Sequence, residues 1–104
     1  MTSIHSLSTT NGRPAKVFRA LSDGTRQQIL ELLEARELNV NEIVSNFSLA
    51  QPTISRHLAV LRSADLVQSE RHGQTMIYSL NGTTLSEAMQ QFFSRFSQCE
   101  QLLR

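Results

Sequence analysis

The chain has 104 residues, 39% of them hydrophobic, with a formal net charge of +1. That length suits one small domain, and so even a charge excludes recognising a nucleic-acid partner from bulk composition. No run approaches the ~18 apolar residues of a membrane helix, residues 1–11 lack the apolar core of a secretory signal, and the single cysteine, Cys99, excludes an intramolecular disulfide framework. A cytoplasmic protein without membrane attachment is expected.

In chain order, residues 1–12 are rich in Ser, Thr, Asn and Gly and read as a flexible arm, with residues 13–104 forming the single domain. Pro14 suits the first turn of a helix carrying Val17, Phe18 and Leu21. Ser22 or Asp23 can cap a second helix that buries Ile29, Leu30, Leu32 and Leu33. A third, short helix is expected over Leu38 to Phe47, through Val40, Ile43 and Val44. A fourth follows a tight turn, over 50–62, with Ile54, Leu58 and Leu61 spaced i, i+4, i+7 on one buried face. Ala50 stands where its cap belongs, a poor capping residue that costs about 1 kcal/mol relative to serine.

After Asp65 the period changes from helix to strand. Leu66 to Glu70 and Thr75 to Leu80 read as two strands joined by Arg71, His72, Gly73 and Gln74, with Gly73 free to take a positive φ. The last helix, residues 83–103, repeats Leu85, Met89, Phe92, Phe96, Cys99 and Leu103 at intervals of 4, 3, 4, 3 and 4, with Phe93 and Leu102 widening the stripe. So long an apolar stripe exceeds what a small core needs, and the simplest cover is a second copy of the chain. The expected architecture is α+β but mainly α: a winged helix-turn-helix of five helices and one β-hairpin wing, dimerising through its terminal helices.

Charge is distributed unevenly. Residues 1–47 carry five basic and five acidic side chains, residues 48–72 three and two, and residues 73–104 two and two. From Ser48 to Ser63 there are two arginines and no acid, where a surface helix ordinarily mixes signs. A one-sided polar face beside a basic hairpin tip points to a polyanion, and its geometry to double-stranded DNA. Gln51 and Thr53 suit base edges, and Arg56 a guanine or a phosphate. Ser55 and His57 suit the backbone, with Ser48 and Pro52 at the helix entry. Arg62 has two readings, a phosphate contact or a pair with Asp65. Arg71, His72, Gly73 and Gln74 would lie against the phosphates or in the minor groove.

These residues also carry a resemblance. Phe18-Arg19-Ala20-Leu21-Ser22-Asp23-Gly24-Thr25-Arg26, Gln51 to Leu58 with Leu61-Arg62, and the wing residues Gly73-Gln74 before Ile77-Tyr78-Ser79-Leu80 are similar to the ArsR/SmtB-type winged-helix repressors, which commonly have Pro in place of Gly24. The resemblance spans roughly residues 14–100. It implies a homodimeric DNA-binding transcriptional regulator, usually a repressor, reading a near-palindromic operator.

Many members of that family sense metals. One group has a Cys-x-Cys pair on the third helix, where this chain has Leu38-Asn39-Val40-Asn41-Glu42. Another has Asp-x-His and a later His on the last helix, yet residues 83–104 hold neither His nor Asp. His5, His57 and His72 have no ligand spacing. The chain resembles the branch without these sites, some of whose members repress their own small operons, and neither metal nor cofactor is expected. Catalysis is not expected either, because Ser55 and His57 lie two apart on one helix and point in nearly opposite directions. Two alternatives stay open: a metal- or redox-responsive repressor using Cys99, and a winged helix serving only protein interaction.

Overall fold

The computed structural model describes residues 13–103, and Leu103 by its backbone alone. The expected arm, residues 1–12, lies outside them. Helix α1 covers residues 13–20, α2 Gly24–Ala35, α3 Val40–Val44, α4 Gln51–Ser63, α5 Gly82–Phe93 and α6 Ser97–Leu103. Strands β1 (Leu38–Asn39), β2 (Val67–His72) and β3 (Thr75–Leu80) form one antiparallel sheet in the order β1-β3-β2. The chain is thus a mainly helical winged helix-turn-helix.

Three local differences from the sequence reading have identifiable causes. The third helix is shorter than expected because Asn39 closes a capping box. The Asn39 Oδ1 accepts the Glu42 backbone N–H at 2.8 Å, while Glu42 Oε1 accepts the Asn39 N–H at 2.8 Å. Helix therefore starts at Val40, and Leu38-Asn39 stays extended, pairing with Tyr78 and Ile77 as a third strand.

The first hairpin strand is longer than expected, since Arg71 and His72 pair with Met76 and Thr75. Only Gly73-Gln74 remain as the turn. Gly73 has φ +67°, whereas Gln74 is not left-handed, the pattern of a type II′ turn, which suits the twist of paired strands.

The last helix is two helices, making six among the described residues rather than five. At the break the Arg95 N–H reaches the Phe92 carbonyl (3.1 Å) and the Phe96 N–H that of Phe93 (3.0 Å), a tightened final turn. The Ser94 hydroxyl donates to the Gln91 carbonyl at 2.9 Å, competing with the helical backbone pattern.

The core is one cluster. Val17 and Ala20 of α1, Ile29, Leu30 and Leu33 of α2, Ile43 of α3, and Ile54, Leu58 and Leu61 of α4 are buried together with Leu38, Leu66, Val67 and Ala88. Leu32, expected with them, is only half-buried at the margin.

Helix α4 ends in a Schellman motif: the Asp65 N–H reaches the Arg62 carbonyl (2.9 Å) and the Leu66 N–H that of Leu61 (2.9 Å). Asp65 takes the left-handed φ of 63° that glycine usually fills there. Its carboxylate accepts the Thr84 hydroxyl at 3.1 Å, tying the start of α5 to the end of α4.

Candidate nucleic-acid interface

Helix α4 divides into a fixed face and a free one. Ile54, Leu58 and Leu61 are at most 1% exposed, which anchors its rotation about its own axis. Gln51, Pro52, Ser55, Arg56 and Arg62 are exposed, as is Ser48 in the preceding turn, while Thr53 is half-buried. Its start has no side-chain cap: the Ala50 carbonyl accepts the N–H groups of Thr53 (3.0 Å) and Ile54 (3.2 Å), and Pro52 lies in the first turn. No carboxylate from Ser48 to Ser63 offsets the positive end of this helix, a local field that favours anions.

His57 is placed differently from the other polar residues of α4. Its side chain is only 18% exposed, and Nδ1 lies 3.3 Å from Arg26 Nη1 and 3.9 Å from Asp23 Oδ2. Arg26 also donates from Nε to the Ala20 carbonyl (2.6 Å) and from Nη2 to the Arg19 carbonyl (3.3 Å). Gln27 donates likewise to the Leu21 carbonyl at 2.6 Å. The last carbonyls of α1 are thereby capped by side chains of α2, and the same guanidinium reaches α4. Asp23 caps α2 by accepting the Arg26 N–H at 3.1 Å. That bond is the main cause holding its carboxyl below the ordinary carboxylate range; the nearby Arg26 guanidinium acts in the same direction, against partial desolvation.

At the wing, Arg71, His72, Gly73 and Gln74 are all exposed. His72 Nε2 donates to Glu70 Oε1 at 3.0 Å, and Arg71 is the standing cation of the tip. Arg62 makes no pair with Asp65, whose carboxylate instead faces Thr84 and, at 4.0 Å, Arg13.

The residues of the apolar seam have unequal surroundings. Leu85 and Met89 pack on the core. Phe92 is the centre of an aromatic group, its ring 4.8 Å from Phe18 edge to face, 5.3 Å from Phe96 and 6.3 Å from Phe93, with the Arg95 guanidinium 5.0 Å from its centroid. Phe96 is 47% exposed and Leu102 82%. Cys99 is a half-buried free thiol, and the Leu103 side chain lies outside what is described. Because α5 stops at Phe93, the stripe is not one continuous heptad seam.

Among the described residues no group of three or more His, Cys, Asp and Glu side chains could hold a metal ion, and no helix is long and apolar enough to cross a membrane. The sequence reading gave no role to Lys16, Arg19 and Arg26. For Arg26 a signal existed, since its position three residues after Asp23 puts it in the capped turn. Arg19 stands in the motif of residues 18–26 with no role assigned to it there, and nothing local marked Lys16.

The profile of the bacterial regulatory protein, arsR family, matches residues 23–69, from the cap of α2 into β2. The transcriptional repressor SdpR of Bacillus subtilis (strain 168) is 40% identical over 73 residues, 70% of this chain and 81% of that protein. The transcriptional activator HlyU of Vibrio cholerae serotype O1 is 33% identical over 85 residues, 82% of this chain and 79% of its own length. Among solved structures, an ArsR-like transcriptional regulator from Rhodococcus sp. RHA1 superposes with a TM-score of 0.80 at 26% identity, covering 91% of this chain and 90% of that one. With its helix-turn-helix, its hairpin wing and these matches, the chain belongs to the ArsR family of bacterial regulatory proteins, DNA-binding transcriptional regulators and not enzymes.

Proposed function

We propose that the chain is a homodimeric cytoplasmic repressor that reads a near-palindromic operator, with its own operon as the first candidate target. The observation that carries this reading is the division of α4. Its apolar face is locked into the core, and its free face offers Gln51, Ser55, Arg56 and Arg62 with no carboxylate from Ser48 to Ser63. In this reading Gln51 and Thr53 contact base edges and Arg56 a guanine or a phosphate. Ser48, Pro52 and Ser55 pack along the backbone at the helix entry, and Arg62 meets a phosphate further along. Arg71, His72, Gly73 and Gln74 approach the backbone or the minor groove from the wing. His57 joins them from its seat against Arg26, through the ring nitrogen that Arg26 does not occupy.

Dimerisation is supported by the exposed Phe96, whose ring packs on Phe92, itself beside Phe93, with the half-buried Cys99 further along the same apolar spacing. Leu85, Met89 and Leu103 extend that surface in the proposed interface. Two copies joined there would set their α4 helices in successive major grooves, about 34 Å apart. Repression is the reading that follows the SdpR likeness; the HlyU likeness marks activation as the outcome to test against it.

The test is fluorescence anisotropy of the purified chain on duplex DNA from its own upstream region, with a scrambled duplex as reference, followed by a reporter assay for the sign of regulation. Specific, salt-dependent binding with lowered reporter output supports the proposal. Binding without preference for the upstream duplex sinks the autorepressor reading. A response of binding to zinc or to a mild oxidant would transfer the weight to a sensor acting through Cys99.

A further inference from the structure

Helix α1 flanks the reader helix, and the line where they meet is cationic at one end only. Lys16 and Arg19 share a cleft of about 320 Å³ with Arg56, floored by Ala59 and Val60. Lys16 and Arg13 share the next cleft with Ser63 and Asp65. The two helices therefore run antiparallel, and the end of α1 that bears Arg19 lies beside the half of α4 that bears Arg56.

The charges along this line are not equivalent. Arg13 is neutralised, with Nη1 3.2 Å from Glu87 Oε1 and Nη2 4.0 Å from Asp65 Oδ2. The side chains of Lys16, Arg19 and Arg56 have no hydrogen-bond or ion-pair partner among the described residues. Three unpaired cations thus line an apolar floor of small side chains, next to the part of α4 that enters DNA in the proposed reading. A helix lying in a major groove has a sugar–phosphate strand along each flank. An apolar floor with a cationic rim fits such a strand, the deoxyribose against Ala59 and Val60 and the phosphates against the rim.

We propose that Lys16 and Arg19 of α1 form, with Arg56, a grip on the DNA strand flanking the major groove that α4 occupies. This rests on the DNA-reading assignment of α4. The grip contributes affinity and register, and it carries no sequence information, because phosphates are alike at every step.

The experiment measures the salt dependence of binding to a fluorescent duplex enriched by the wild-type chain from a randomised pool. Each lost phosphate contact lowers the slope of log K against log salt by about 0.9. Lys16→Ala and Arg19→Ala are each expected to reduce the slope by about that amount per protomer bound, with the rank order of duplex variants unchanged. Arg13→Ala, at the paired end, is expected to leave it unaltered. Lys16→Gln and Arg19→Gln repeat the test should an alanine variant melt early. A wild-type slope in both variants, with binding intact, overturns the grip and leaves the α4 assignment standing. An equal fall in Arg13→Ala overturns it too, since the effect would then be general charge. A wild-type chain that enriches no duplex overturns both the grip and the reading beneath it.

Discussion

The Nδ1 atom of His57 lies 3.3 Å from Nη1 of Arg26, joining the reader helix to the helix before the helix-turn-helix. A guanidinium only donates hydrogen bonds, so Nδ1 must accept and the ring proton belongs on Nε2. An ion pair between His57 and Asp23 would need a proton on Nδ1 instead. The 3.9 Å separation from Asp23 Oδ2 is beyond hydrogen-bond length, so the Arg26 contact governs the tautomer. Arg26 is thereby the hub of the reader's orientation: it holds two carbonyls of α1 and one ring of α4 in a single rigid fork.

Removing that hub should loosen the domain before it touches any DNA contact. Arg26→Ala is expected to lower the unfolding free energy by about 2–3 kcal/mol, since charge-assisted bonds to two carbonyls and a ring are lost. Arg26→Lys should recover only part, because an ammonium cannot reproduce the fork. Urea denaturation measures this, and a loss under about 0.5 kcal/mol, the range of neutral surface changes, would refute the hub.

Substitutions on the free face of α4 should do the reverse. Gln51→Ala and Arg56→Ala are expected to cost about 1–3 kcal/mol each in specific binding and to relax sequence preference, with stability unchanged. Anisotropy on matched and mismatched duplexes checks this. Retained preference in both variants would move the reading residues off α4.

The exposed aromatic at the far end separates assembly from folding. Phe96 is 47% exposed while Phe92 packs on Phe18, so Phe96→Asp should leave the protomer folded and yield monomers in analytical ultracentrifugation. Operator affinity should then fall by the lost second half-site, 10²-fold or more in order of magnitude. A stable Phe96→Asp dimer would place the interface elsewhere.

The cap on α2 sets an acid limit to stability. Because the Asp23 carboxyl is held below its ordinary range in the folded chain, its charge stabilises at any pH above the unfolded value. That contribution is lost as pH falls through the lower folded value, so the window lies on the acid side of about pH 4. Asp23→Asn keeps a capping oxygen but not the charge. The stability gap between wild type and Asp23→Asn should be constant near neutrality and should close only in that acid window. A gap that closes between pH 5 and 8 would assign the effect to another group.

Much of this molecule was legible from local pattern. The spacing of Ile54, Leu58 and Leu61 named the buried face of the reader helix, and alternation with Gly73 named the wing, because periodicity reports directly which side chains leave water. The poor cap at Ala50 and the cap at Asp23 were equally local. Other features were written in the chain but overruled by stronger neighbours: the Asn39–Glu42 box shortened α3, and the hydroxyl of Ser94 helped to split the terminal helix.

What periodicity does not report is what covers a face. That Phe92 meets Phe18, that His57 turns to an arginine 31 residues before it, and that Lys16 and Arg19 stand beside Arg56 were decided by how α1, α2, α4 and α5 pack around one core. The sequence by itself determined most of the elements, the fold class and the face of α4 left free. The tertiary structure alone decided which cations remain unpaired beside that face, because pairing depends on distances across the core that no local spacing encodes.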